Sequence, residues 1–390
     1  MEGFDYAKAL DDMHKTLETV NGDTLGAEAE KKSVYNGNII DKLSQLASGS
    51  MKSIDSFKRY FSSTPMRIPT GIDFVDNVTN GGLYNGITVI AGVPGIGKTS
   101  MLVQIGVEMS AQGYPVIYIS KDMTAPEIML KALCFVSGKY CGNGIDTNTL
   151  GELVRDGKLS DELTDKYIKI CRNFTILDFR FEANSDFISL ANSALNIGND
   201  DSDDGSVQSV SYLASIFEVY CSLYKNPPLF IIDSLQSLAL YSSMTGKEGV
   251  DSVLSQIKYL QMSFGVPVLL VSNLNRSSYR KSIGIDSLKE SGNIEYDASA
   301  ILALDTCEDL EDFRDSESRR IVIKNLKDRA SGYRECEVIF DVKYGRFSCE
   351  GAEIPCMQAM VKQDKNAAAA QAQPHIFAGV NLDAIDMKSL

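Results

Sequence analysis

The chain has 390 residues, 44% of them hydrophobic, with no Trp, eight Cys and two His. That is enough for one large α/β domain with appendages. Its 52 acidic side chains outnumber 38 basic ones and give a formal charge of −14 at pH 7, so any nucleic-acid contact must rest on positive charge gathered locally.

The cysteines at 134, 141, 171, 221, 307, 336, 349 and 356 contain no C-x-x-C pair. This disfavours a zinc site and fits a reducing cytoplasm. His14 and His375 are the only histidines, too few to suggest metal or proton-shuttle chemistry by histidine. The acidic start Met1-Glu2-Gly3-Phe4-Asp5 is no signal peptide, and no apolar run approaches the ~20 residues of a membrane span. A cytoplasmic protein without a membrane partner is expected.

Taken in chain order, residues 1–33 read as a polar segment, with Gly22 and Gly26 interrupting any helix. Residues 34–65 carry an amphipathic pattern (Ile39, Ile40, Leu43, Leu46, Ile54, Phe57, Phe61) before Ser62-Ser63-Thr64-Pro65, which predicts a short helical linker. From 66 to 350 strands and helices alternate, the signature of a mostly parallel, helix-covered sheet. Residues 351–390, with Ala367-Ala368-Ala369-Ala370, read as a mobile tail.

The most informative run lies early in the alternating region. After the β-branched strand Ile87-Thr88-Val89-Ile90, residues Gly92, Val93, Pro94, Gly95, Ile96, Gly97, Lys98 and Thr99 match G-x-x-x-x-G-K-[ST] at every fixed position. Ser100 and the apolar Met101, Leu102, Ile105 and Val107 then open a helix. Strand, glycine loop and helix N-terminus form the geometry a triphosphate needs, because backbone N–H groups and the helix dipole face the anion. Lys98 is expected between the β- and γ-phosphates of ATP, with Thr99 on Mg²⁺.

Further along, Pro115-Val116-Ile117-Tyr118-Ile119-Ser120 predicts a strand that ends before Lys121-Asp122-Met123-Thr124. Thr124 and Glu127 form a T-x-x-E capping box with Pro126 in the first turn, so a helix begins there. Asp122 thus falls on a loop at a strand's carboxyl end, where open α/β sheets bind ligands. Asp200, Ser202, Asp204 and Gly205 match the start of a calcium loop, but Ser211 stands where the bidentate Glu is required, so a solvated insertion is expected. Pro228-Leu229-Phe230-Ile231-Ile232-Asp233 predicts a buried strand ending in the carboxylate that orders the Mg²⁺ shell. Between Asn273 and Lys289, Arg276, Arg280, Lys281 and Lys289 stand against one acid, Asp286. That is a local positive cluster suited to sequence-independent phosphate contact.

These segments, in this order, resemble the RecA-like motor domain of the DnaB-type hexameric replicative helicases. The resemblance runs from about Pro69 to Phe347. It is carried by Pro69-Thr70-Gly71-Ile72-Asp73-Phe74-Val75-Asp76, by Gly81-Gly82-Leu83, by Ile119-Ser120-Lys121-Asp122-Met123-Thr124, and by Pro267-Val268-Leu269-Leu270-Val271-Ser272-Asn273-Leu274-Asn275-Arg276. Its most specific part is Asp286-Ser287-Leu288-Lys289-Glu290-Ser291-Gly292-Asn293-Ile294-Glu295-Tyr296-Asp297-Ala298. The resemblance implies a RecA-like P-loop NTPase core, ATP and Mg²⁺ as cofactors, single-stranded DNA as partner and a homo-hexameric ring. It also implies primase, polymerase or loader partners in a bacterial or phage-infected cell. It gives Asp122 the role of the catalytic glutamate and Asn273 that of the γ-phosphate sensor. DNA gripping falls to the loop Lys289, Glu290, Ser291 and Gly292, together with Arg276, Arg280 and Lys281.

Three departures accompany the resemblance. Asp122 and Asn273 each stand one methylene shorter than the family's Glu and Gln, a retreat of roughly 1.5 Å if the backbone stays put. The family places a lysine, one residue and then an arginine finger. With Lys324 as that lysine, Leu326 occupies the finger position and an insertion brings in Arg329, with Lys327 as second choice. A finger must be charged and forked, which Leu326 is not. Finally, only about 65 residues precede the motor region, too few for the family's helical N-terminal collar. The leading expectation is an ATP-driven ring helicase. The alternatives are a nucleotide-dependent loader or scaffold with weak hydrolysis and a recombinase-type filament.

Overall fold

The computed structural model describes residues 66–142, 144–178, 205–239, 246–274, 283–288, 293–306, 316–329 and 332–349. The expected polar segment 1–33, the helical linker 34–65, the insertion around 200–204 and the tail 351–390 lie outside the described residues, as do His14 and His375.

The chain opens with β1 (Arg67–Ile68), which pairs antiparallel with β2 (Leu83–Tyr84) across the short helix α1 (Asp73–Val78). Six parallel strands follow: β3 (Ile87–Gly92), β4 (Val116–Ser120), β5 (Phe174–Leu177), β6 (Leu229–Asp233), β7 (Val268–Asn273) and β8 (Ala300–Thr306). Three antiparallel strands, β9 (Ser318–Asp328), β10 (Glu335–Asp341) and β11 (Arg346–Ser348), extend one edge. Among the described residues the sheet has nine strands in the order β11-β10-β9-β8-β3-β7-β6-β4-β5.

The sequence explains the layers. β3, β4 and β6 are buried along their whole length, as continuous apolar runs must be in a parallel sheet covered on both faces. Between strands run α2 (Lys98–Ala111), α3 (Ala125–Tyr140), α4 (Thr147–Arg155), α5 (Asp161–Ile170), α6 (Gly205–Leu223), α7 (Leu235–Ala239) and α8 (Gly246–Phe264), with α9 (Asn293–Asp297) before β8. The expected α3 cap is present: the Thr124 backbone N–H and hydroxyl donate to Glu127 Oε2 at 2.7 and 2.8 Å. Those bonds hold the Glu127 carboxyl below its ordinary range.

β3 lies between β7 and β8, whereas the strand that follows it in sequence, β4, pairs with β5 and β6. The chain leaving β3 crosses toward β4 while the chain leaving its neighbour β7 crosses back over β3 to β8, so these adjacent strands send their connections in opposite directions and open a crevice at their carboxyl ends, where such sheets bind ligands. The antiparallel extension reaches back to this crevice. The Gln104 amide on α2 makes two bonds to Phe347 on β11, accepting from its N–H at 2.8 Å and donating to its carbonyl at 3.0 Å. Phe347 stacks on Phe340 with ring centroids 4.3 Å apart.

Candidate functional site

The loop between β3 and α2 is shaped by glycines where the backbone requires them. Gly95 and Gly97 take φ of 83° and 105°, a region closed to most side chains. Gly97 is also crowded: a Cβ there would come within 2.7 Å of Phe347 and 2.9 Å of Phe340. Lys98 folds back over the loop, donating to the Gly92 carbonyl at 2.9 Å and the Val93 carbonyl at 3.2 Å. Burial pushes its ammonium down to about 8, while Asp233 and Asp122 pull the other way. Ser100 is buried in the first turn of α2.

The next side chain, Thr99, donates to Asp233 Oδ2 at 2.8 Å, and the wholly buried Tyr118 donates to the same oxygen at 2.9 Å. Burial raises the Asp233 carboxyl above its ordinary value, the two hydroxyl bonds lower it, and the charge of Asp122 raises it again. A hydroxyl and a carboxylate oxygen side by side form a hard-oxygen donor pair suited to Mg²⁺, which keeps most of its waters and takes substrate phosphates as ligands. Among the described residues there is no cluster of three or more His, Cys, Asp or Glu that could cage a metal. Two such oxygens are what a protein offers to a Mg²⁺ that it shares with phosphate and water.

Asp122 reaches this end through strand register. Ser120 on β4 lies opposite Asp233 on β6, and the Lys121 N–H donates to the Asp233 carbonyl at 2.9 Å. Asp122 then meets the start of α7: Ser234 donates to its Oδ2 at 3.0 Å and Ser237 to its Oδ1. Asn273 ends β7 in register with Gly92. Its N–H donates to Gln236 Oε1 at 3.2 Å, and Gln236 Nε2 donates to the Ser272 hydroxyl at 3.0 Å. Gly92, Lys98, Thr99, Asp122, Asp233 and Asn273 thus come from four neighbouring strand ends. Sequence reasoning passed over Tyr118, Ser234, Gln236 and Ser237; a polar residue within or just beyond an apolar strand was the available signal.

It also passed over Arg319. This buried side chain on β9 donates from Nη1 to the Gly95 carbonyl at 2.8 Å and from Nε to the Ser316 carbonyl at 3.1 Å. It ties the antiparallel extension to the tip of the phosphate-binding loop.

The other end of β9 holds the residues considered for the finger. Lys324 pairs with Asp305 at 2.6 Å. Leu326 packs against the core and is the extra residue of a bulge, since Ile301 faces Lys327 while the next residue, Leu302, faces Asn325. Beyond it, Lys327, Asp328 and Arg329 carry the lysine–one residue–arginine spacing with no further insertion. Asp328 is anchored to Arg67 at 2.5 Å. Lys327 donates to the carbonyls of Glu295 and Ala298, and Arg329, exposed, donates to the Tyr296 carbonyl at 3.0 Å. Both cations thus sit at the C-terminal end of α9, where orphan carbonyls attract positive charge.

The expected DNA-contacting residues Arg276, Arg280, Lys281, Lys289, Glu290, Ser291 and Gly292 lie outside the described residues. Their flanks are described: Leu274 and Leu288 form an antiparallel bridge, a 3-10 turn spans Ile285–Ser287, and α9 starts at Asn293.

Comparison with known proteins bears on the family and the fold. The family model for the DnaB-like helicase C terminal domain matches residues 67–349. The replicative DNA helicase DnaB of Geobacillus stearothermophilus is 24% identical over 292 residues, 72% of this chain and 56% of that protein. A probable replicative DNA helicase of Trieres chinensis is 26% identical over 257 residues, 63% of this chain and 49% of that one. The chain thus spans about half the length of these replicative helicases. A shorter match, 38% identity over 65 residues and 16% of this chain, links it to the DNA repair protein RadA of Mycobacterium tuberculosis, of which it covers 14%. Among solved structures, a separately solved ATPase domain superposes with a TM-score of 0.57 at 20% identity, covering 76% of this chain and 99% of that one. A DnaB-like replicative helicase studied with primase gives 0.55 at 18%, covering 82% and 73%. These two likenesses establish the RecA-like fold.

Proposed function

The chain belongs to the DnaB-like helicase C-terminal domain family, and on that premise we propose that it is the ATP-driven motor of a replicative DNA helicase. In this reading it works as a homo-hexameric ring on single-stranded DNA. The observation that carries the proposal is the convergence of Lys98, Thr99, Asp233, Asp122 and Asn273 at adjacent strand ends, the set a phosphoryl-transfer site requires.

The residues divide the work. The amides of Gly95 to Ser100 wrap the phosphates, and Lys98 exchanges the Gly92 and Val93 carbonyls for phosphate oxygens. Thr99 and Asp233 would hold Mg²⁺, which offsets phosphate charge when bound. Asp122 orients the attacking water and accepts its proton as ATP and water become ADP and phosphate. Asn273 faces the γ-phosphate from β7, at a position pinned by Gln236.

Arg329 supplies the finger to the neighbouring subunit, with Lys327 beside it. The spacing of Lys327, Asp328 and Arg329 supports this assignment over one counted from Lys324. It also weakens the reading of a scaffold with poor hydrolysis, which drew on Leu326 standing at the finger position. Lys289 to Gly292, with Arg276, Arg280 and Lys281, grip the DNA backbone.

A primase partner follows by analogy with the DnaB-like helicase studied with primase, and a polymerase or loader partner rests on the family resemblance alone. The working place is the cytoplasm. Among the described residues no helix is long and apolar enough to cross a membrane. The test is ATP turnover of the full chain with and without single-stranded DNA, followed by strand separation of a forked duplex. Turnover that DNA accelerates, with unwinding that needs ATP, is the expected result. Nucleotide binding without either would favour the scaffold.

A further inference from the structure

Asp122 is one methylene shorter than the glutamate the family uses, and among the described residues its exposed carboxylate takes its hydrogen bonds from outside its own loop. What fixes it comes from another strand end. Ser234, buried just beyond β6, donates to Asp122 Oδ2 at 3.0 Å. Ser237, one turn further into α7, donates to Oδ1. The two hydroxyl oxygens approach each other to 2.8 Å, and the Ser237 N–H points at Ser234 Oγ at 3.4 Å.

Two hydroxyl protons serve three close oxygen pairs, so the Ser234–Ser237 contact, in which either hydroxyl can donate, shares a proton that Asp122 also accepts. Each carboxylate oxygen keeps lone-pair capacity for a water. The carboxylate is therefore held at both oxygens without being blocked.

We propose that Ser234 and Ser237 are positioning residues that clamp the shortened Asp122 carboxylate in the orientation needed to activate water. The proposal rests on the reading of Asp122 as the water-activating acid. The clamp sits on α7, immediately after Asp233, and the same helix carries Gln236, which holds the end of the Asn273 strand. The carboxylate that orders the metal shell, the carboxylate that activates water and the γ-phosphate-facing strand are thus set by one turn of helix. A glutamate would carry its carboxylate about 1.5 Å beyond these hydroxyls. The serines therefore make aspartate workable here.

The experiment measures kcat, KM and nucleotide affinity for the full chain and four variants: Asp122→Asn, Ser234→Ala, Ser237→Ala and Ser237→Thr. Ser237 is half-buried, so its variants are the primary ones, and thermal unfolding checks each. Loss of one clamp bond lets the carboxylate wander, and misplacement on the ångström scale costs up to ~10²-fold in rate. Ser237→Ala is expected to lower kcat about tenfold, leave KM and nucleotide affinity unchanged, and be largely rescued by Ser237→Thr, which restores the hydroxyl.

Wild-type kcat in both alanine variants would overturn the clamp. So would a Ser237→Ala loss in which nucleotide affinity falls with the rate, or a threonine variant as slow as alanine although folded and nucleotide-bound. If Asp122→Asn itself turns over normally, the role of Asp122 fails first and the clamp with it. If Asp122→Asn is inactive and the serine variants are fast, only the clamp fails.

Discussion

The Lys98 ammonium lies 2.9 Å from the Gly92 carbonyl, a residue of the same loop that it must leave when phosphate arrives. The lysine and the peptide groups of the loop thus satisfy one another. Nucleotide binding replaces one set of charge-assisted bonds by another rather than filling a bare charge. Lys98→Ala is expected to abolish ATP turnover while the thermal unfolding profile stays close to that of the parent. Undiminished turnover in the purified variant would remove the nucleotide site from this loop.

The same burial gives a pH dependence with a definite sign. The Lys98 group is pushed down from its usual 10.5 to about 8, so it is charged below that pH and neutral above it. The charged form binds phosphate. Affinity for ATP is therefore retained as pH falls below 8 and lost as pH rises through it, with KM climbing by up to about tenfold per pH unit beyond. A KM flat from pH 7 to 9.5 would contradict this.

Arg319 offers a test of the antiparallel extension. Its bond to the Gly95 carbonyl holds the tip of the loop, so Arg319→Ala is expected to raise KM for ATP several-fold and change kcat less. The bond is charge-assisted, but its carbonyl lies on the exposed tip of the loop, so it is worth on the order of 1.5 kcal/mol, the low end for such bonds. Arg319→Lys keeps the charge but loses the fork, and partial recovery is the expected result. A kcat defect with normal KM would place Arg319 in the chemical step instead.

Arg329 on the finger reading acts on a neighbour's nucleotide. Arg329→Ala should assemble and bind ATP but hydrolyse slowly, by ~10³-fold or more. Mixed with Lys98→Ala subunits it should regain turnover, because an intact loop in one subunit can meet an intact finger in the next. A dead mixture despite co-assembly would mean that the site is completed within one chain.

On the proposed reading the DNA grip is separable from the ATP site. Lys289→Ala is expected to weaken single-strand binding about equally for all sequences and to reduce the salt slope by roughly one unit, since the contact is to phosphate. Wild-type affinity and salt dependence would place the basic cluster in solvent.

What the sequence showed and what it hid follow from the range of the interactions. The strand–loop–helix around Gly92 to Thr99 and the Thr124–Glu127 cap are set by residues a few positions apart, so pattern alone locates them. Asp233 was legible as a strand-end carboxylate. The residues that hold these groups were not. Tyr118 finds Asp233 and Ser237 finds Asp122 across 115 positions, and Arg319 finds Gly95 across 224. Such contacts exist only once β4 and β6 lie side by side and β9 to β11 fold back over the loop. The finger spacing was legible all along: Lys327, Asp328 and Arg329 carry it in consecutive residues, and a count begun at Lys324 passed over it.

The measurement that bears most directly on the central claim is steady-state ATP hydrolysis by the full chain, titrated with single-stranded DNA, beside Asp122→Asn. The account predicts basal turnover that rises with DNA and is lost in Asp122→Asn while nucleotide binding persists. Turnover that ignores DNA, or survives in Asp122→Asn, would contradict it.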